Sequence, residues 1–348
     1  KQRDNHNTMR KSLLSIALLQ LGLLSASVSH AEGYALGQGW RSGDYYISGY
    51  TNLEIIDRFG SPAKLELDDL SLFASGKVNQ WVNPFAEIEL SKHTLIQQGG
   101  GAKNGDVIVE RFYNDVILSE QDSLRIGKLL APLGEWNVPH AAPLVPVISR
   151  PYTAARGFSG YIGGVSWRHE SDDANWQLYW QPDNELFKRP AAQAPRNFHN
   201  VIGGHISTSF DMKSQVGASF QRGTLIERNE TYTLLGVNAS HTMGRLTVQG
   251  EALSANFSGS QPRAHDTESG IYALADYAVT PQWHGIVGAE YYQDHTVAAS
   301  SRSTSLAINH HQHSLPLVWK LEYIHQAGVS SPLATVRTGL KAALTFMF

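Results

Sequence analysis

Val336-Arg337-Thr338-Gly339-Leu340-Lys341-Ala342-Ala343-Leu344-Thr345-Phe346-Met347-Phe348 ends the chain, and it alternates. Val336, Thr338, Leu340, Ala342, Leu344, Phe346 and Phe348 fall on one face, and Arg337, Gly339, Lys341, Ala343, Thr345 and Met347 on the other. Side chains of an extended strand point alternately to its two faces, so a period of two predicts a strand with one apolar side. The alternation returns upstream. Tyr45, Ile47, Thr51, Leu53 and Ile55 oppose Tyr46, Ser48, Tyr50, Asn52 and Glu54. Trp176, Leu178 and Trp180 oppose Gln177, Tyr179 and Gln181. Leu246 and Val248 oppose Thr247, Gln249 and Glu251, and Leu317, Trp319, Leu321 and Tyr323 oppose Lys320 and Glu322.

Followed along the chain, the pattern predicts sixteen strands, near 44–57, 63–75, 80–92, 106–119, 123–130, 159–169, 175–181, 200–210, 216–226, 231–242, 246–256, 269–279, 283–294, 303–313, 317–326 and 335–348. It slips at 63–75 and 106–119. Connections alternate between short (Ser119–Asp122, Asp211–Gln215, Met243–Arg245, Thr280–Gln282, Ser314–Pro316) and longer (93–105, 131–158, 182–199, 257–268, 295–302). An even strand count with short turns at one end and long loops at the other is how a transmembrane β-barrel is built. A soluble sandwich alternates too. Here, however, the apolar face is dense in Trp, Tyr and Leu, and the opposite face is polar along nearly every strand, which suits a wet lumen rather than a packed core. No segment after residue 32 approaches the ~20 apolar residues of a membrane helix. Lipid tolerates no open sheet edge, so the sheet must close. The fold expected is all-β: an antiparallel transmembrane barrel over 44–348, after a short lead at 32–43.

The 348 residues are 42% hydrophobic and 17% charged, with 31 glycines, 8 Trp, 14 Tyr, 12 Phe, no cysteine and a formal net charge of -3. This composition excludes a disordered chain, a disulfide scaffold, cysteine catalysis and Cys-based zinc sites. Near-balanced charge argues against nucleic acid as a partner. At the N-terminus, Met9-Arg10-Lys11 precedes an apolar run from Leu13 to Leu24, and small residues end in Ser29-His30-Ala31. Basic, apolar and small segments in that order predict a secretory signal peptide over 1–31, with 1–8 an upstream extension. A buried N-terminal helix would not explain all three segments together.

The terminal Leu340-x-Ala342-x-Leu344-x-Phe346-x-Phe348 resembles the insertion signal of Gram-negative outer-membrane barrels. The resemblance implies the outer membrane, its lipid, and the barrel-insertion machinery as a partner that reads Leu344, Phe346 and Phe348. A second resemblance is narrower. Glu110-Arg111-Phe112-Tyr113, followed by Leu124-Arg125-Ile126-Gly127-Lys128-Leu129-Leu130-Ala131-Pro132-Leu133-Gly134, is similar to the strand pair and loop entry of the phosphate-selective porin O/P-type family over about 105–160. It implies a sixteen-stranded channel, commonly trimeric, passing small anions, with a long loop after strand five. Elsewhere the likeness is architectural, and no dense arginine ladder or lysine cluster accompanies it.

The longest loop, Leu129–Ser159, holds Pro132, Pro139, Pro143, Pro146 and Pro151, with Arg150 and Arg156. Prolines stiffen it, and its apolar residues disfavour free motion in water. It is expected to fold into the lumen and form the constriction; an external lid or a subunit contact is the alternative. Arg111, Arg125 and Arg168, with Lys128 beside them, lie on strands four to six. Glu251, Asp276 and Glu290 lie on strands eleven to thirteen, nearly opposite. A basic wall facing an acidic wall would set a field across the pore; the alternative is that these charges pair and hold water. More acids come from Glu54, Glu87 and Glu89, and more bases from Lys320, Arg337 and Lys341. Arg111 reads almost equally well in either register.

His310, His311 and His313 suggest a metal site, but alternation puts His310 on the face opposite the other two, so no metal or cofactor is assigned. Gly157-Phe158-Ser159-Gly160-Tyr161 lacks the last Gly of a nucleophile elbow. No phosphate-binding loop or H-E-x-x-H is present, and no catalytic residue is assigned. The function expected is a water-filled channel for passive diffusion of small hydrophilic solutes and ions. Weak anion preference is expected from Arg111, Arg125, Arg156 and Arg168, and a homotrimer from the resemblance. The alternative is a non-channel barrel, a lipase-like enzyme or an adhesin.

Overall fold

The computed structural model describes residues 33–139, 141–190, 196–259, 265–295, 298–328 and 338–348. The expected signal peptide at 1–31, Val336 and Arg337 lie outside the described residues. Sixteen long strands run in chain order: β1 (Tyr45–Arg58), β2 (Lys64–Gly76), β3 (Pro84–Gln97), β4 (Asp106–Ile117), β5 (Asp122–Leu130), β6 (Tyr161–His169), β7 (Asn175–Gln181), β8 (Phe198–Asp211), β9 (Ser214–Leu225), β10 (Glu230–Met243), β11 (Leu246–Ser258), β12 (Thr267–Ala278), β13 (Trp283–Asp294), β14 (Ala299–His311), β15 (Leu317–Ala327) and β16 (Gly339–Met347). Each pairs antiparallel with the next, and β16 returns to β1 through Leu344↔Leu53 and its neighbours, so the sheet closes. Closure leaves no unpaired edge for lipid to meet. Within the 32–43 lead, Tyr34–Ala35 pairs with Gly39–Ser42, which in turn pairs with the start of β1.

The wall is apolar outside. Leu72, Ile88, Leu235, Val237, Ile271, Val287, Leu306 and Leu321 are exposed, while the residues beside them in sequence turn inward. Such exposure in water would be costly, and it is what a lipid-facing belt requires. Tyr45, Trp81, Trp167, Phe210, Tyr277 and Trp283 are exposed near the end that carries the short turns, the position of an aromatic girdle.

The strand boundaries move in places. The third strand starts at Pro84 rather than 80, because the Asn79 side chain accepts from the Trp81 and Val82 amides and caps a turn. The fourteenth starts at Ala299 rather than 303. The two stretches where the pattern slips are bulged. Asn52 pairs with Asp69 but Leu53 with Leu67, leaving Asp68 extra; Glu87 pairs with Arg111 but Ile88 with Val109, leaving Glu110 extra. A bulge puts two residues opposite one and breaks the period of two.

Candidate pore constriction

The chain leaves the wall at Leu130 and re-enters at Tyr161, its partner across β5 and β6. Between them, residues 131–139 and 141–160 cross the lumen and are held on the far wall. Asn137 closes the base, donating to the Ala131 and Gly160 carbonyls at 2.6 and 3.1 Å. Gly134, at φ +66°, donates to Ser219 Oγ at 2.9 Å. A Cβ there would meet Glu251 Oε2 at 2.4 Å and the Phe158 ring at 2.6 Å, so only glycine fits. The Glu135 amide donates to Glu251 at 2.7 Å, and Asn238 donates to the Glu135 carboxylate at 2.6 Å. At the tip, Lys320 Nζ donates to the Ala142 carbonyl at 2.6 Å and to that of Val145. Asn309 donates to the Pro146 carbonyl at 2.7 Å, and the Ser149 amide to Glu322 at 2.8 Å. A short helix, α1 (Tyr152–Gly157), then places the Thr153 amide and hydroxyl on Glu290 at 2.8 and 3.1 Å. Tyr232 donates to the Gly157 carbonyl at 2.6 Å.

Leu133, Trp136, Val147, Ala154 and Phe158 of the loop pack with Leu129, Ile162, Tyr179, Leu253, Tyr272 and Leu274 of the wall in one buried apolar cluster. The lumen is therefore partly a packed core, which corrects the expectation of a uniformly wet interior: polar tethers and apolar contact together fix the loop. The β7–β8 connection adds a second clamp. Arg196 forks onto Glu268 and donates to the Arg156 carbonyl at 2.8 Å, while Tyr292 donates to Glu268 at 3.0 Å and the Tyr232 hydroxyl lies 2.9 Å from it. Burial alone would lower the Arg196 pKa, but the Glu268 carboxylate, with Tyr232 and Tyr292 beside it, outweighs that and raises it. Burial pushes the Arg150 guanidinium down to about 10, so it stays charged at neutral pH.

The loop divides the lumen. On the long-loop side lies a cavity of about 340 Å³ between Asp69, Glu89 and Glu110 of the wall and Arg150, Arg189 and Arg196 of the loops. On the short-turn side lie two more, about 280 Å³ beside Arg168 and His205 and about 250 Å³ beside Asp276, His284 and Lys320.

Arg111, Arg125 and Arg168 do turn inward, but each has a carboxylate partner. Arg111 pairs with Glu87, Arg125 forks onto Asp115 at 2.8 Å and Arg168 pairs with Glu170. The bulge at Glu110 is what turns Arg111 inward and resolves its register. Glu251 and Glu290 turn inward and hold the loop rather than face open water, and Asp276 pairs with His284 at 2.8 Å. The two walls thus do not confront one another as expected, because the loop stands between them. Lys128 lies on the face of β5 opposite Arg125, wholly buried, pairing with Glu185 at 2.8 Å and donating to the Phe187 carbonyl. It does not line the lumen as expected, since its cross-strand partner Phe112 is on the exposed outer face. Arg150 donates to Asn137 Oδ1 at 2.6 Å; Arg156 sits at the end of α1, half-buried, its carbonyl held by Arg196. His311 reaches the cavity beside His284, whereas His310 packs on Trp283 on the other face. Leu344 and Phe346 share the outer face of β16, and the Phe348 carbonyl accepts from Ser48 at 2.7 Å. Sequence reading missed Asp69, Asn137, Arg189, Arg196 and Glu268; the first sits where the pattern slips, and the others in loops or at a strand end.

The same fold recurs in solved structures. A loop-deletion form of OmpT, an outer membrane protein of Vibrio cholerae, superposes with a TM-score of 0.64 at 14% identity, covering 88% of this chain and 100% of that one. The fold is that of the outer-membrane porins. An anion-selective porin from Comamonas acidovorans gives 0.60 at 11% identity over 87% of this chain and 99% of its own. OmpF of Salmonella typhi, in complex with daunomycin, gives 0.64 at 11% over 88% and 97%. These likenesses do not single out the phosphate-selective O/P type. No family model matches the chain. An uncharacterised protein of Aquifex aeolicus is 32% identical over 108 residues, which are 30% of this chain; the match spans about a quarter (24%) of that relative's length.

Proposed function

We propose that this protein is a passive channel of the outer membrane, admitting small hydrophilic solutes and ions and catalysing no reaction. The observation that carries the reading is the loop at 131–160, tethered to β9–β11 and β13–β15 so that it narrows the lumen without filling it. Fixed charges along a narrow wet path select by sign and orient dipolar solutes. The finer expectation of an anion, phosphate-like preference rests on Arg111, Arg125, Arg156 and Arg168. Three of these are paired with carboxylates, which weakens their support for it. A homotrimer is part of the proposal, and the trimer form of Vibrio cholerae OmpT is among the similar structures.

The test is a planar bilayer with the refolded chain under a KCl gradient. Stable conductance steps are expected, and their reversal potential reads the sign of selectivity. Absence of steps from protein shown to be folded by its resistance to unfolding in detergent would refute the channel. Cross-linking in detergent reads the oligomer.

A further inference from the structure

The cavity on the long-loop side is acidic where it meets the wall. Asp69 of β2, Glu89 of β3 and Glu110 of β4 line it together. Asp69 pairs with Ser91 and Ser71 with Glu89 across β2 and β3, so the two acids are diagonal neighbours in the sheet. Neighbouring carboxylates have cations: Glu54 pairs with Lys341, Glu66 with Lys64 and Glu87 with Arg111. Asp69, Glu89 and Glu110 form no such pair among the described residues. The basic groups across the cavity are engaged elsewhere, Arg189 with Glu185, Arg196 with Glu268 and Arg150 with Asn137 and the Ala154 carbonyl. Lys92 stands at the exposed edge.

An independent sign comes from the bulge. Glu110 is 3% exposed, and its Oε2 has no hydrogen-bond partner although the residue lines the cavity. Buried polar atoms are almost always satisfied, so one that is not points to an absent partner. A partner that donates hydrogen bonds and carries positive charge suits that oxygen, because Asp69 and Glu89 line the same cavity while Arg150, Arg189 and Arg196 across it are held by other acceptors. At about 340 Å³ the cavity falls in the range of small-molecule sites.

We propose that Asp69, Glu89 and Glu110 form a binding subsite for the primary ammonium group of a small polar solute. An ammonium offers three donors to three carboxyls and replaces the cation that the fold omits. The role in permeation rests on the channel reading; the binding itself does not.

The test is calorimetric titration of the refolded barrel in detergent with 1,4-diaminobutane, with 1,4-butanediol as the neutral control of like size. Saturable binding of the diamine alone is expected, weakened about tenfold or more by Glu110→Gln, since a hydrogen bond to a charged group is lost. Asp69→Asn is the second variant, and folding of both is checked by heat-dependent gel mobility. No saturable binding, or equal binding by wild type and a folded variant, overturns the subsite. KCl conductance measured in parallel separates the two readings. Steps without diamine binding leave the channel standing and the subsite refuted; binding without steps does the reverse.

Discussion

Replacing Lys320 with Met asks what holds the constriction loop. Lys320 is 4% exposed, and its ammonium donates to the carbonyls of Ala142 and Val145, with no carboxylate in ion-pair contact among the described residues. Two hydrogen bonds from a charged donor contribute about 1.5–3 kcal/mol each. Burying an ammonium without a counter-ion takes several kcal/mol back. The net tether is then at most about 3 kcal/mol, and Met keeps the apolar stem while removing it. Two other tethers remain, Asn309 to Pro146 and Ser149 to Glu322. The tip around 141–149 should therefore stay folded in most molecules while its detached population rises by up to about a hundredfold, at 1.4 kcal/mol per tenfold. In single-channel recordings Lys320→Met should show added current noise and a new, larger conductance substate. Glu322→Gln should do the same more weakly, and the double variant should exceed the sum, because both grip one segment. Wild-type noise and substates in Lys320→Met would mean that packing of Val147 alone holds the tip, and the tether argument would fail.

Three shorter predictions follow from the same geometry. Asn137→Ala strips partners from the Ala131 and Gly160 carbonyls and from Arg150 at once, and should cost about 2–4 kcal/mol in urea unfolding followed by tryptophan fluorescence. An unchanged midpoint would show that the loop base is held otherwise. Arg125→Ala leaves Asp115 without its counter-charge in the lumen, so the reversal potential should move toward cations; a move toward anions would contradict the pairing. Deleting Phe348 removes its paired backbone bonds with Gly49 and the bond from Ser48, so less folded barrel should be recovered from the outer membrane of an expressing cell. Full recovery would deny that Phe348 acts as the insertion signal.

Strand positions and faces were legible wherever the sheet is regular, because a wall with lipid outside and water inside writes a period of two directly into the residues. The faces assigned to Tyr45–Glu54, Trp176–Gln181 and Trp319–Tyr323 agree with the burial observed, while Leu317, assigned to the outer face, is buried. The inward loop was legible from its prolines and apolar residues. What it would touch was not. Glu251 and Glu290 read as pore charges, since nothing local shows that a backbone amide more than a hundred residues away along the chain will take them. Arg196 and Glu268 join elements 72 residues apart, and such pairing leaves no periodic mark.

The acidic wall was hidden for a different reason, and that reason bears on what the site can do. In a regular strand, adjacent residues face opposite ways, so Asp68-Asp69 and Glu110-Arg111 would each send one charge toward lipid, at a cost of kcal/mol per group. The bulges at those two places let both members avoid the lipid face. Asp68 accepts from Asn52 while Asp69 lines the cavity, and Arg111 reaches Glu87 while Glu110 keeps a free oxygen on the same cavity. Regular pairing could supply at most one inward charge for every two residues. The bulged strands β2 and β4 exceed that density at the level of the constriction, and the surplus there is negative. Restoring regular pairing, by deleting Glu110, should therefore remove the acidic surplus and the ammonium subsite together while leaving the loop tethers on β9–β15 untouched. Calorimetry with 1,4-diaminobutane beside the single-channel noise of the same protein reads the two effects separately. Retained diamine binding in a folded Glu110 deletion would break the link between bulge and subsite.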